Sequence, residues 1–210
     1  MASQRKATVI SGDVIGSSEL KSAPRKKLQR LFDTFFKEAT QQWPDLKIEQ
    51  YRGDSLQALL TTHREMALRT ALLLQCFLIK EKFYVRLAIG VGDISFQSKD
   101  VVTSDGTAFQ ASGPLLDELV KSGDVIAISG ISQAFTDEWM VHSASLNFIM
   151  QRLSPNQAEA MYLQLQNHTQ QAIARTLRIK QPSVHQRLQG AGWPVVQKIL
   201  HRFESVVPGV

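Results

Sequence analysis

The 210-residue sequence has a single cysteine, Cys76, so no disulfide can close within the chain. That excludes a disulfide scaffold and points to a reducing, cytoplasmic setting. Cys76 sits in an apolar run, where a lone cysteine serves as a small core residue. Long hydrophobic runs are also missing. The most apolar stretch, Ala67 to Ile79, is interrupted by Arg69 and Gln75, so it is too short and too polar to cross a bilayer. No apolar leader precedes the first β-like run, so neither a secretory signal nor a membrane partner is expected. Internal repeats and low-complexity segments are absent as well.

Acidic residues are scarce in one place. Residues 151–210 carry seven Lys/Arg against only Glu159 and Glu204, whereas residues 1–150 balance to zero. The whole net charge of +5 therefore falls in the last sixty residues. A basic module joined to a neutral one suits a polyanionic partner.

Periodicity divides the chain in the same way. Ala7–Val14 reads as a strand, and Pro24 opens a helix with Leu28, Leu31, Phe32, Phe35 and Phe36 at helical spacing, ended by Trp43-Pro44. Two strands, 47–51 and 55–60, flank the tight turn Arg52-Gly53-Asp54. A helix over 64–80 and a strand over 83–91 complete a β-α-β-β-α-β order, the ferredoxin-like arrangement. A loop near 97–107, a helix at 108–120, a strand at 124–129 and a short helix at 131–139 follow. The expected fold class is α/β (α+β): a ferredoxin-like domain over 1–140, a linker at 141–152, and a small all-α domain over 153–210.

In the last segment, Ser154 and Pro155 start one helix and Thr169 caps another over 170–177. Arg178-Ile179-Lys180-Gln181 make a turn with Ile179 pointing into the core. Pro182 begins a third helix through Gln189, stopped by Gly190 and Gly192. Ala174 is small where the helices must cross, and Val184 and Leu188 give the third helix an inner face. Gln181, Ser183, His185, Gln186, Arg187 and Gln189 are left for its outer face, and these side chains can read base edges. Arg175, Arg178 and Lys180, with Lys198 or Arg202, are placed for phosphate contacts. The stretch TQQAIARTLRIKQPSVHQRL resembles the helix-turn-helix of sigma-factor region-4-like and LuxR-like regulators. A helical hairpin that binds protein is the alternative.

Toward the amino terminus, Asp13 ends the first strand and Asp54 lies in the hairpin turn. Neighbouring strands would bring both carboxylates to one spot, where oxygen ligands suit Mg²⁺. Ordinary turn formation accounts equally well for each aspartate. ISGDVIGSS, YRGDSLQALL, VRLAIGVGDI and SDGTAFQASGPLLDEL resemble, in order, the motifs of class III nucleotidyl cyclases. Joined to the terminal helix-turn-helix, they look most like the SatD family of bacterial proteins.

The resemblance implies a cyclase-like domain with Asp13, Asp54 and the Val14 carbonyl at the metal-ligand positions. Ser11, Gly16, Ser17 and Gln110 are candidate nucleotide- or phosphate-contacting residues, the serines through hydroxyls or backbone N–H groups at the following helix N-terminus, with ordinary caps as the alternative. The chain departs from the cyclase pattern where Gln110 and Pro114 replace the asparagine and arginine that act on the phosphates. Gln50 and Thr103 stand in the purine-selecting positions. Loss of the transition-state arginine alone implies a rate loss on the order of 10³-fold. An arginine from a partner subunit could substitute, with Arg25, Arg52 and Arg86 as candidates. Asp93 is a further carboxylate, read first as a strand-end turn.

The expectation is a DNA-binding transcriptional regulator whose cyclase-like domain is non-catalytic and dimerises or senses a nucleotide or other small effector. Head-to-tail homodimers are implied by the cyclase resemblance. The alternative is a Mg²⁺- and nucleotide-dependent enzyme localised by its helix-turn-helix.

Overall fold

The computed structural model describes residues 5–51, 53–96, 98 and 100–209. Strand β1 (Arg5–Val14), helix α1 (Ser22–Gln42), strands β2 (Lys47–Tyr51) and β3 (Ser55–Leu60), helix α2 (Ala67–Ile79) and strand β4 (Val85–Ile94) give the β-α-β-β-α-β order. Helix α3 (Thr107–Ser122), strand β5 (Ile126–Gly130) and helix α4 (Gln133–Met150) follow. Helices α5 (Pro155–Leu165), α6 (Gln170–Leu177), α7 (Gln181–Gly190) and α8 (Trp193–Val206) complete the chain. The sheet order is β2-β3-β1-β4-β5, antiparallel except where β5 runs parallel to β4. The fold class is therefore the expected mixed α/β sheet, followed by an all-helical segment.

Side-chain alternation explains how the layers form. Ile10 and Val14 of β1, Leu56, Ala58 and Leu60 of β3, and Val85, Leu87, Ile89 and Val91 of β4 face the core shared with α1 and α2. Their neighbours Ala7, Val9 and Leu59 face α3 and pack with Ala108 and Phe109. Helix α3 lies almost directly on the β4 backbone, because Gly90 offers no side chain there. A Cβ at Gly90 would sit 2.1 Å from the Ala108 carbonyl oxygen.

The carboxyl-terminal helices are not hung on a linker. Residues 141–150, expected to be linker, form the second half of α4, and the short helix expected at 131–139 is its first half. Ser132 caps this helix by accepting from the Phe135 N–H, and no glycine or proline interrupts it before Gln151. Its inner face buries Phe135, Trp139, Leu146 and Met150 in a core that also takes in α5 and α8.

Helix α8 follows the glycines expected to stop the third helix, and Phe203 meets Trp139 edge-on at 5.0 Å. Arg69 of α2 pairs with Glu204 of α8 at 2.7 Å and donates to the Leu165 carbonyl at 2.9 Å. The Tyr162 hydroxyl donates to Glu38 at 3.0 Å. The two halves thus share one core and several polar ties. Among the described residues no helix is long and apolar enough to cross a membrane.

Candidate functional site

Two regions carry the residues singled out by sequence. In the first, the sheet register places Asp13 directly between Ser55 of β3 and Arg86 of β4. All three lie on the α3 side of the sheet by alternation. Arg86 donates to one Asp13 carboxylate oxygen at 3.0 Å, while the other is buried without a partner among the described residues. Burial pushes the Asp13 carboxyl above its ordinary value. The Arg86 guanidinium opposes this incompletely, and the nearby Asp54 adds to it.

Asp54 is tied down differently. Ser17 and Ser55 both donate their hydroxyls to its carboxylate, and its carbonyl accepts the Val14 N–H at 3.1 Å. The chain turns here because Gly16 adopts φ 71°, in the left-handed region that glycine tolerates. Beside the pair lies a cleft of about 370 Å³, lined by Ser17, Arg25, Lys26, Gln29, Gly53 and Asp54 among others. Arg25 donates to the Ser17 carbonyl at 3.2 Å, so two cations sit along the same wall as the serine.

Asp13, Asp54 and the Val14 carbonyl offer oxygens of the kind a divalent cation takes. The unpartnered Asp13 oxygen favours this, and the Arg86 ion pair on the other oxygen competes with it. No group of three or more His, Cys, Asp or Glu suited to a metal occurs among the described residues.

Other expected members stand apart. Ser11 is buried in the sheet, bonded to Ser112 at 3.0 Å, and cannot meet a phosphate. Gln110 is exposed on the first turns of α3, near Asp105. That end of β4 is the Asp93 end, where Asp93 pairs with Lys6 at 3.2 Å. Asp93 is seven residues from Arg86, about 23 Å along the strand, so it does not join Asp13. Gln50 donates to the Gly53 carbonyl and accepts from Gln29, which occupies it within the hairpin. Thr103 is exposed in a short 3₁₀ turn. Pro114 lies inside α3. Arg86 is committed to its own chain's Asp13, and Arg52 lies outside the described residues. Sequence reasoning missed Arg86 as the partner of Asp13, although a charge within the apolar run of VRLAIGV was a signal.

The second region is the surface of α6 and α7. Ile173 and Ala174 of α6 pack on Val184 and Leu188 of α7, with Ala160 of α5 behind them and Ile179 against the cluster. Thr169 caps α6 by accepting from the Ala172 N–H. Arg178 takes a left-handed conformation, φ 53°, to turn the chain into α7. With Val184 and Leu188 inside, the 100° step of a helix turns Gln186 and Gln189 outward. Gln181, His185, Gln186 and Gln189 are exposed and Ser183 half-buried. Gln181 is held by Gln170 of α6 at 2.8 Å.

Arg187 is placed differently from its expected position on the outer face. It is half-buried on the flank and approaches Glu159 of α5 at 4.0 Å. Arg175, Arg178 and Lys180 are exposed beside α7. Lys198 is exposed on α8, whereas Arg202 is engaged by Glu138 of α4 at 2.8 Å and is not free for phosphate. Gly190 is the last residue of α7, one past the expected end, and a Cβ there would meet Gln157 at 2.9 Å.

No family model matches the chain, and no curated protein matches it. Among solved structures it is similar to a bacterial light-regulated adenylyl cyclase, at 14% identity with a TM-score of 0.46, over 60% of this chain and 76% of that one. It is similar to an adenylate/guanylate cyclase/hydrolase from Silicibacter pomeroyi at 24% identity and a TM-score of 0.43, over 55% of this chain and 71% of that one. The active GGEEF domain of a diguanylate cyclase from Vibrio cholerae is similar at 16% identity and a TM-score of 0.43, over 61% of this chain and 85% of that one.

Proposed function

We propose that the protein is a DNA-binding transcriptional regulator of SatD type, in which α7 enters the major groove and the sheet domain serves as a sensing and assembly platform. The observation that carries this reading is the outward face of α7. Gln186, Gln189 and His185 stand exposed on a helix whose opposite side is fixed by Val184 and Leu188. Exposed cations at Arg175, Arg178 and Lys180 flank that face. Glutamine pairs well with adenine in the major groove, and flanking cations meet phosphate without reading sequence. Equilibrium binding of the full chain to duplex DNA across a salt series tests this. Affinity falls steeply with salt, and the slope shrinks by about one for each phosphate-contacting cation removed. Salt-independent or absent binding would contradict the reading.

The cleft beside Asp54 supports a second reading, as a site for a nucleotide and Mg²⁺. Asp13, Asp54 and the Val14 carbonyl would hold the cation, which when bound neutralises charge on phosphate oxygens. Ser17, Arg25 and Lys26 are placed along the cleft to meet further phosphate oxygens. Turnover is disfavoured, because Gln110 and Pro114 supply no cation for a transferring phosphoryl group. In this reading the cleft binds an effector without transforming it.

A further inference from the structure

Helix α4 is apolar on two opposite faces. The inner face is buried in the core. The outer face presents Met140, Val141 and Phe148, exposed at 63%, 67% and 63%. Asp137, Val141, Ala144, Phe148 and Gln151 recur at alternating steps of four and three residues, the spacing of a helix seam that packs on another helix. A helix apolar on both sides is normally covered on both sides. Between Glu138 and Arg152 the helix carries no acidic or basic residue except His142.

The charges at its ends are opposite. Asp137 lies on the outer face near the start, and Arg152 lies just beyond the end. Arg152 stacks on the Phe148 ring at 3.9 Å and donates to the Phe148 carbonyl at 2.9 Å. Beside this face, between α3 and α4, runs a groove of about 330 Å³. Leu115, Leu119, Met140 and Ala144 supply apolar wall, Glu118 and Asp124 contribute carboxylates, and no basic residue lines it. An apolar slot with acidic walls complements an aromatic ring carrying a cation. Phe148 with Arg152 is such a pair.

We propose that the outer face of α4 is the interface between two copies of this chain, packed antiparallel about a two-fold axis near Ala144. In that arrangement Met140 of one copy faces Phe148 of the other, because both are four residues from the axis. The Phe148 ring then enters the groove beside Met140. Arg152 reaches the Asp137 end of the partner helix. Such a contact is isologous, so each half of the seam is used twice. The inner face of α4 shares its core with α5 and α8, so the pairing also fixes one α7 relative to the other. The proposal goes beyond DNA recognition and is read out without DNA.

Sedimentation of the full-length chain tests it. The parent protein is expected to be a dimer, and Phe148→Glu is expected to weaken dimerisation roughly 100-fold while leaving the far-ultraviolet circular-dichroism spectrum of the folded chain unchanged. Ala144→Cys is expected to give a disulfide-linked dimer on oxidation, with little background because Cys76 is buried. Arg152→Glu is expected to weaken the dimer, and adding Asp137→Arg to restore it. A parent that stays monomeric, or a dimer untouched by Phe148→Glu, would overturn the interface. Failure of Ala144→Cys to cross-link would overturn the antiparallel arrangement about that residue.

Discussion

The corner at Asp13 and Asp54 and the face of α7 are both polar, but one is largely paired within itself and the other is open. At that corner, Arg86 answers one Asp13 oxygen and leaves the other unpartnered, two serine hydroxyls answer Asp54, and Gln29 and Gln50 answer one another. On α7, the chain fixes only the buried side of the helix, and the glutamines outside are left to solvent. A surface whose polar groups already satisfy one another gains little from a new partner, since each new bond must replace an existing one. The open surface gains every bond it makes, less the water displaced. The difference is why the proposed DNA-reading role falls to α7 and not to the cleft.

The tie between the two regions is the first place to break the comparison. Arg69→Ala leaves Glu204 partly buried without its partner and the Leu165 carbonyl without its donor. The expected loss is about 3 kcal/mol of stability, measured as a shift in urea midpoint. Because the regions share a core, the parent is expected to unfold in one transition. Two separate transitions in the parent would show that the halves are independent.

A smaller effect separates the regions by function. Arg86→Met removes the guanidinium that holds down the Asp13 carboxyl, so the Asp13 pKa is expected to rise further above its already raised position. Carboxyl titration by NMR reads this directly. DNA affinity is expected to stay within about 0.5 kcal/mol of the parent, because the change is confined to the closed site. A large loss of DNA binding would tie the cleft to recognition.

The smallest expected effect contrasts two carboxylates in the same domain. Asp45 accepts three backbone N–H groups, from Thr61, Thr62 and His63, and also bonds the His63 ring. Although desolvation opposes it, these bonds hold the Asp45 carboxyl down at about 2, from 3.8. Asp45 raises His63 in return. The Asp45 contribution to stability is therefore full above 3.8 and lost as pH falls toward about 2. The His63 contribution is full below 6.5 and lost as pH rises through its raised folded value. Asp13 has the opposite sign to Asp45, because its raised pKa makes acidification relieve a buried charge. Urea midpoints of Asp45→Asn against pH are expected to lose the acid-side dependence, and Asp13→Asn to keep it.

How much of this was legible in the sequence depends on how local each feature is. Helices α6 and α7 and their core of Ile173, Ala174, Val184 and Leu188 follow from short-range periodicity, and they pack as that periodicity requires. Strand order follows from the alternation of elements. Arg86 on Asp13, Glu138 on Arg202 and Glu204 on Arg69 join residues 64 to 135 positions apart, and no local pattern encodes them. The second half of α4 reads as a linker in sequence for a different reason. Met140, Val141 and Phe148 on its outer side blur the contrast between an apolar and a polar face that marks a surface helix. The same outer residues are those assigned to the dimer interface.

The most direct test of the account is selection of bound duplexes from a random-sequence pool by the parent chain and by Gln186→Ala/Gln189→Ala. The account predicts that the parent enriches a defined site and that the variant loses that preference, at a cost of about 1–3 kcal/mol per lost base contact, while keeping its salt-dependent affinity for DNA. Enrichment of the same site by both proteins, or of no site by the parent, would contradict the assignment of α7 as the reading helix.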